Sequence, residues 1–201
     1  MKYLITPSLL NSWHWFLKSD DLEKARNEFE LTLKRVPIPD NQFMRAGREF
    51  EDKVQKSCLT NKVYEDSDKK YASCVNEVVD LVKGGIWQVK VGKDINIDGQ
   101  EFYIYGRLDI LNMSKVQDIK FVSTYTVGKY IDNPQTPLYF ECIPEVDLFE
   151  YIISDGESVY IESYRREDII PIEFEIRTFM HFLKTFEWAG ILFRENWKAK
   201  Y

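Results

Sequence analysis

Residues 103–122, with the sequence YIYGRLDILNMSKVQDIKFV, restrict the fold of this chain more than any other stretch. Two runs within this stretch alternate apolar and polar side chains with a period of two, which is typical of half-buried β-strands. Residues 112–115 separate the two runs and have the length of a hairpin loop. A loop of these four residues sets Ile110 opposite Gln117, whereas a three-residue loop would shift the register by one position.

The same register sets Asp109 opposite Asp118, with Lys120 two residues further along the second strand. Two opposed carboxylates repel each other, so a positive charge between them would stabilise the pair. Lys120 can supply part of that charge, and a hard divalent cation, which prefers oxygen ligands, can supply the rest. The alternative is a solvated hairpin face whose Asp and Lys side chains form ordinary surface ion pairs.

Length and composition favour a single globular domain, residues 1–201, with 44% hydrophobic and 30% charged residues. No apolar run has the length of a membrane span, and the first residues lack a signal-peptide pattern. We therefore expect a cytoplasmic protein that does not bind membranes. Cys58, Cys74 and Cys142 are an odd number at wide spacing, which indicates reduced thiols.

The net charge of −6 counts against a nucleic-acid-binding protein, whose affinity usually depends on a basic surface, but a local basic surface remains possible. Lysine and arginine side chains on the helix around residue 50, with two residues near 130, are candidates for contact with DNA. The alternative for each of them is a solvated surface position. The candidates are Arg45, Arg48, Lys53, Lys56, Lys129 and Tyr130.

The order of predicted elements indicates an α/β fold, in which helices flank a central mixed β-sheet. Residues 1–84 are predicted to form a mainly helical N-terminal region, and residues 85–165 to form the sheet core. Residues 171–198 are predicted to form a C-terminal helix, and residues 124–131 a short one. No internal repeat or linker divides the chain.

Local signals mark several ends of these elements. Thr6 is predicted to cap the first helix with proline in its first turn, and Asp40 to cap the third. Asp98 and the glycine after it are typical of a tight hairpin turn. Gly47 lies on the apolar stripe of the third helix, which predicts close approach of another element. Glu51, one turn further on, is predicted to lie partly buried at the edge of the core, where its carboxylate needs a partner. An ion pair with a lysine would be enough to satisfy it.

Four short motifs in this order resemble the PD-(D/E)XK nuclease superfamily. They lie on a predicted helix, on the two strands of the hairpin and on a later helix. Within that superfamily they look like the RecB-type branch, which includes CRISPR-associated and phage-type exonucleases. The motifs are Glu51, Gly106-Arg107-Leu108-Asp109, Asp118-Ile119-Lys120 and Gln135-x-x-x-Tyr139.

The resemblance implies a restriction-endonuclease-like core and a role for each matched residue. Asp109, Asp118 and the backbone carbonyl of Ile119 would bind Mg²⁺ or Mn²⁺, and Glu51 would complete or orient the metal shell. Lys120 would act at the scissile phosphate by positioning or deprotonating the attacking water. Substrate contacts would come from Gln135, Tyr139 and, from its place on the Glu51 helix, Arg48.

The sequence departs from the family pattern in two of these positions and in its cysteines. Glu51 stands where many RecB-type members have histidine, and Asp118 stands where glutamate is commoner. Some relatives hold an iron–sulfur cluster on four cysteines, but this chain has three, so we predict no such cluster.

The implied function is a metal-dependent DNA nuclease, more specifically an exonuclease, in phage or prokaryotic recombination or repair. DNA ends would be its substrate, and a second copy of the chain or recombination and replication proteins would be its partners. One alternative keeps the fold without turnover, as a DNA-binding or protein-binding subunit. Another is an interaction protein whose hairpin charges are surface salt bridges, and it predicts no affinity for metal.

Overall fold

The computed structural model of the protein describes residues 1–200, in which a mixed six-stranded sheet is flanked by seven α-helices. The strands are β1 (Tyr3–Ile5), β2 (Ile86–Ile97), β3 (Gln100–Asn112), β4 (Lys115–Phe121), β5 (Leu148–Ser154) and β6 (Val159–Arg165). The helices are α1 (Pro7–Lys18), α2 (Leu22–Leu33), α3 (Gln42–Thr60), α4 (Lys69–Val82), α5 (Gln135–Cys142), α6 (Ile172–Thr185) and α7 (Glu187–Asn196). The predicted α/β class with a central mixed sheet is therefore confirmed.

Strand β3 has three neighbours, and their arrangement leaves an opening in the sheet. β2 runs antiparallel to β3 along nearly its whole length. β1 pairs in parallel with residues 102–104 of β3, and β4 pairs antiparallel with residues 110–112. Since β2 occupies one edge of β3, both β1 and β4 must lie along the other edge. Residues 105–109 of β3 therefore have no ladder partner on that edge, and helix α5 packs beside them.

The hairpin of β3 and β4 has the predicted register. Ile110 pairs with Gln117, and Asn112 pairs with Lys115 around a two-residue turn. Met113 has a φ of 54° in that turn, the left-handed conformation that such tight turns require. The ladder stops at Ile110, so the next two positions, the aspartates, lie where the strands separate.

Two hydrophobic clusters cover the sheet. The larger one joins β1, β3, β4 and β5 to helices α1, α2, α5, α6 and α7, and it is rich in aromatic rings. Trp13 of α1 lies 5.2 Å from Phe179 of α6, measured between ring centroids. The smaller cluster joins α3 and α4 to the middle of the sheet, where Phe50 stacks on Phe121 at 4.9 Å. The two clusters hold the sheet between layers of helix.

Helix α1 begins as predicted, because the Thr6 hydroxyl accepts the backbone N–H of Leu9 at 3.2 Å. Helix α3 does not. Its cap is Asn41, whose side chain accepts the N–H of Met44 at 2.9 Å, and the Asp40 carboxylate instead binds Arg48.

The buried stripe of α3 does not include its first turns. Phe43 is 62% exposed, and the fully buried apolar residues of the helix are Phe50 and Val54. The first turns of α3 have no element packed over them. A Cβ on Gly47 would meet no atom within 4 Å, so the expected close approach at this glycine is wrong.

Residues 124–131 form a series of turns, and the predicted short helix is wrong. Gly128 has a φ of +80°, and a side chain from β6 binds consecutive backbone N–H groups there, so these groups are not free for helical bonding. The predicted C-terminal helix is two helices, because Phe186 leaves the helical conformation between α6 and α7.

The three cysteines are free thiols, as expected. Among residues 1–200, no helix combines the length and apolar character that crossing a bilayer would require.

Candidate active site

The two aspartates of the hairpin lie where β3 and β4 separate. Asp109 is half-buried, and its Oδ2 atom accepts the backbone N–H of Ile119 at 3.2 Å. This hydrogen bond to a side chain thus takes the place of a backbone hydrogen bond between β3 and β4, just beyond the last residue pair of the ladder. Asp118 is 1% exposed, which makes it one of the few buried charged residues of the protein. Buried carboxylates need compensation, so their surroundings decide what the site can do.

Each carboxylate oxygen of Asp118 faces a different partner. Oδ1 accepts a hydrogen bond from the Gln135 side-chain amide of helix α5. Oδ2 lies 2.5 Å from the Lys120 ammonium as an ion pair, yet it has no partner with hydrogen-bond geometry among the described residues. Buried acceptors are nearly always satisfied in folded proteins, so this oxygen is a candidate ligand for a cation.

Lys120 remains a cation at this site. Burial by itself would lower the pKa of its ammonium, but the negative charges of Asp118 and Asp109 outweigh burial and raise that pKa. The ammonium also lies 3.5 Å from the side-chain oxygen of Gln135. The protonated ammonium beside these two carboxylates can stabilise further negative charge at the site.

The site holds more negative charge than Lys120 neutralises. Burial, followed by the charge of Asp118, raises the pKa of the Asp109 carboxyl well above its ordinary value. Burial and the charge of Asp118 also raise the pKa of Glu51 on helix α3. Desolvation and like charge both favour the neutral form of a carboxyl group, and a bound cation would relieve both effects.

Glu51 is held by a residue that no motif pointed to. The Gln88 side chain of β2 donates a hydrogen bond to Glu51 Oε1 at 2.7 Å. Gln88 has a φ of 56°, an uncommon conformation for a residue within a strand. The structure therefore brings Glu51 into the electrostatic neighbourhood of the aspartates without direct contact. Within residues 1–200, no three His, Cys, Asp or Glu side chains form a ready-made metal-binding cluster.

Helix α5 closes the opening in the sheet. Gln135 and Tyr139 lie one turn apart and face the sheet together, as their spacing predicts. The Tyr139 hydroxyl donates to the backbone carbonyl of Arg107 at 2.8 Å. This carbonyl belongs to the β3 segment that lacks a ladder partner, so the tyrosine satisfies a backbone group that the sheet leaves open.

Glu162 on β6 organises the loop of residues 124–131 beside the site. Its carboxylate is 7% exposed and accepts five hydrogen bonds from tyrosine hydroxyls and consecutive backbone N–H groups. The donors are Tyr125 (2.7 Å), Gly128 (2.8 Å), Lys129 (3.1 Å), Tyr130 (3.3 Å) and Tyr164 (2.6 Å).

This anchoring places Tyr130 against the candidate site. Its ring stacks on Tyr151 with a centroid distance of 4.7 Å, and the Lys120 ammonium lies 5.8 Å from the Tyr151 ring. No motif in the sequence points to Glu162. Gly128 is a sequence signal for a turn in this loop, but no residue near it in the sequence indicates a contact with β6.

Three of the cations proposed for DNA contact bind other side chains of the protein. Arg48 is exposed and bound to Asp40, and Lys53 donates to the Tyr71 hydroxyl at 3.2 Å. Lys129 lies 5.8 Å from the Tyr130 ring. None of the described contacts joins these three cations to Asp109 or Asp118.

No protein-family model matches this chain, and no curated protein matches it significantly. Solved structures do match its fold. LHK-Exo, in complex with dAMP, shares 16% sequence identity at a TM-score of 0.53, over 95% of this chain and 92% of that one. SSO0001 shares 13% identity at a TM-score of 0.51, over 88% of this chain and 73% of that one. At these identities the likeness establishes a shared fold.

Proposed function

We propose that this protein is a metal-dependent DNA nuclease that hydrolyses phosphodiester bonds, and more specifically an exonuclease. The observation that carries the proposal is the pair of carboxylates, Asp109 and Asp118, with Lys120 at the opening between β3 and β4. Asp118 is 1% exposed, and the burial of this ion-paired carboxylate is the feature that surface salt bridges do not explain.

The donor set fits a hard divalent cation. Oxygen ligands from Asp109 and Asp118, with Glu51 near them, match what Mg²⁺ and Mn²⁺ prefer, since magnesium is commonly held by one or two carboxylates and waters. Such an ion supplies charge neutralisation of the phosphate and a more acidic water. The pKa values of Asp109 and Glu51 are raised by burial first and by the charge of Asp118 second, and a bound cation would relieve both effects.

The remaining residues position these groups. The Lys120 ammonium offers a positive charge to the negative charge that develops on the phosphate, a form of electrostatic stabilisation. Gln135 fixes the Asp118 carboxylate by its hydrogen bond, and Tyr139 fixes β3 through the Arg107 carbonyl. Lys120 would stabilise the charge on the phosphate or would position or deprotonate the attacking water, and its ion pair with Asp118 supports a role beside the carboxylates.

The choice of DNA as substrate is supported by the shared fold. LHK-Exo was crystallised with dAMP, and a deoxynucleoside monophosphate is the class of product that stepwise hydrolysis of a DNA strand releases. An exonuclease also needs to accommodate a strand end beside the carboxylates. The loop that Glu162 anchors, with Lys129 and Tyr130, borders that position.

The test is cleavage of end-labelled linear DNA, single- and double-stranded, with Mg²⁺, Mn²⁺ or EDTA. The variants are Asp118→Asn and Lys120→Gln. A matched control replaces the surface ion pair Lys18–Asp132, whose side chains are 63% and 73% exposed, by the same two substitutions. We expect metal-dependent release of mononucleotides that falls by about 100-fold or more in each site variant.

The controls separate the alternatives. Cleavage that persists in both site variants would reject this active site. Absence of cleavage, with metal binding and DNA binding intact, would instead favour a non-catalytic DNA-binding subunit. Absence of any thermal stabilisation by Mg²⁺ or Mn²⁺ would favour the interaction protein.

A further inference from the structure

An open groove of about 750 Å³ lies between β1, β3 and the C-terminal segment, away from the aspartates. We call it the basic groove, because four of its lining side chains are cations and two are tyrosines. These residues are Arg35, Lys90, Lys198, Lys200, Tyr103 and Tyr105. Its lining contains no aspartate or glutamate, although the chain as a whole has a net charge of −6.

The four cations of the basic groove have no carboxylate partner within the part of the chain that the structure describes. Asp94, which pairs with Tyr103 in the β2–β3 ladder, is bound by Lys2 at 2.8 Å. The negative charge of Asp94 is thus already compensated. A concentration of unpaired cations in an acidic protein favours a polyanionic ligand.

The tyrosines indicate which polyanion fits. Tyr103 and Tyr105 are half-buried, and their rings are 6.3 Å apart between centroids with an angle of 24°. An aromatic ring beside a positively charged groove, here that of Tyr105, favours single-stranded nucleic acid, because an unpaired base can stack on the ring while phosphates face the cations. A duplex keeps its base faces stacked internally and cannot use the rings in this way.

Strand β3 connects the basic groove to the candidate active site. Tyr105 precedes Asp109 by four residues, which corresponds to about 13 Å along a strand. Lys90 of the groove is the register partner of Arg107, which lies between them. We infer that the basic groove binds an unpaired nucleic-acid strand and leads it to Asp109. The second part of this inference rests on the proposed nuclease function, whereas the first part does not.

The test measures binding without cleavage, by fluorescence anisotropy of a labelled oligothymidylate in EDTA. The variants are Lys90→Gln/Lys198→Gln and Tyr105→Leu, each checked by thermal unfolding. The control, Lys24→Gln/Lys69→Gln, removes two exposed lysines outside the groove. We expect the Lys90/Lys198 variant to lower the slope of log K against log salt concentration by about 1.4, since each phosphate contact on a single strand contributes about 0.7. We expect Tyr105→Leu to weaken binding about tenfold.

Competition with the matching duplex and with polyglutamate identifies the ligand class. Equal competition by either polymer, or unchanged binding in the groove variants, would overturn the inference. Failure of the two proposals is distinguishable. If the groove variants weaken strand binding but no cleavage is found, the groove is supported and the nuclease function is rejected. If cleavage is found but the groove variants do not affect it, the nuclease function is supported and the role of the groove is rejected.

Discussion

The ring of Tyr139 packs directly over Gly106, in space that a side chain at residue 106 would occupy. A Cβ built on Gly106 would overlap Cε1 of the ring and lie 2.9 Å from its hydroxyl oxygen. The ring cannot easily withdraw, because Tyr139 is 2% exposed and lies nearly parallel to Phe149, at an interplanar angle of 5°. The glycine of the Gly-Arg-Leu-Asp motif therefore allows α5 to reach the opening in the sheet.

Gly106→Ala should displace α5 from β3. Overpacking of this kind lowers the free energy of unfolding by about 1 to 3 kcal/mol, measured by urea denaturation. The matched control is Gly47→Ala, where a Cβ meets no atom within 4 Å. That substitution should stabilise the protein by about 0.5 to 1 kcal/mol, because alanine favours a helix.

The effect at Gly106 should depend on Tyr139. In a Tyr139→Leu background, Gly106→Ala should lower stability by much less than in the wild type, since the two residues are in contact. Equal effects in both backgrounds would show that the glycine is needed for another reason.

Gln88→Ala should weaken metal binding without removing any ligand. Gln88 orients Glu51 through one hydrogen bond, and loss of such a supporting contact typically reduces metal affinity by about 10- to 100-fold. The measurement is a Mn²⁺ titration followed by thermal shift. Gln42→Ala, at an exposed position in the first turn of α3, should leave the affinity unchanged.

Asp109→Asn should stabilise the metal-free protein and abolish its stabilisation by metal. Burial and the charge of Asp118 raise the pKa of Asp109, so the ionised form is disfavoured in the folded state. An asparagine can still accept the Ile119 N–H through its carbonyl oxygen. In EDTA at neutral pH we expect a gain on the order of 1 kcal/mol.

When Mn²⁺ is added, Asp109→Asn should become less stable than the wild type, because Mn²⁺ stabilises the wild type and not the variant. Thermal unfolding with and without Mn²⁺ measures both effects. A variant that is less stable than the wild type in EDTA would show that Asp109 is not under electrostatic strain.

Glu162→Gln should lower stability at neutral pH and change its dependence on acid. Burial by itself would raise the pKa of Glu162, but hydrogen bonds from Tyr164 and Tyr125 outweigh it and hold that pKa below its ordinary value. The ionised carboxylate therefore stabilises the fold above its unfolded pKa of about 4.3, and this contribution is lost as the pH falls through the folded pKa.

We expect Glu162→Gln to lower the free energy of unfolding by about 2 kcal/mol at pH 7, because an amide presents N–H groups to donors. The difference from the wild type should shrink in acid. Glu49→Gln, on the exposed face of α3, is the control. A difference that does not vary with pH would mean that the Glu162 charge contributes nothing to the loop.

Several features of this protein could be predicted from the sequence because they depend on neighbours along the chain. The Thr6 cap, the turn at Asp98 and the hairpin register are local, since each is set by residues within a few positions. Alternation along the hairpin also placed Asp109 and Asp118 together, because strand geometry alone determines which side chains are opposed. The order of helices and strands likewise indicated a mixed sheet between helices.

Tertiary structure decided what those local rules do not cover. The predicted helix at residues 124–131 is absent because Glu162, 34 residues beyond Gly128, binds the backbone N–H groups of that segment. Gln88 reaches Glu51 across 37 residues, and no periodicity records that contact. The sequence by itself determined most of the elements and the register of the hairpin that carries the aspartates. Only the folded chain determined the opening between β1 and β4 and the buried charge there, because both arise from contacts between residues that are distant in sequence.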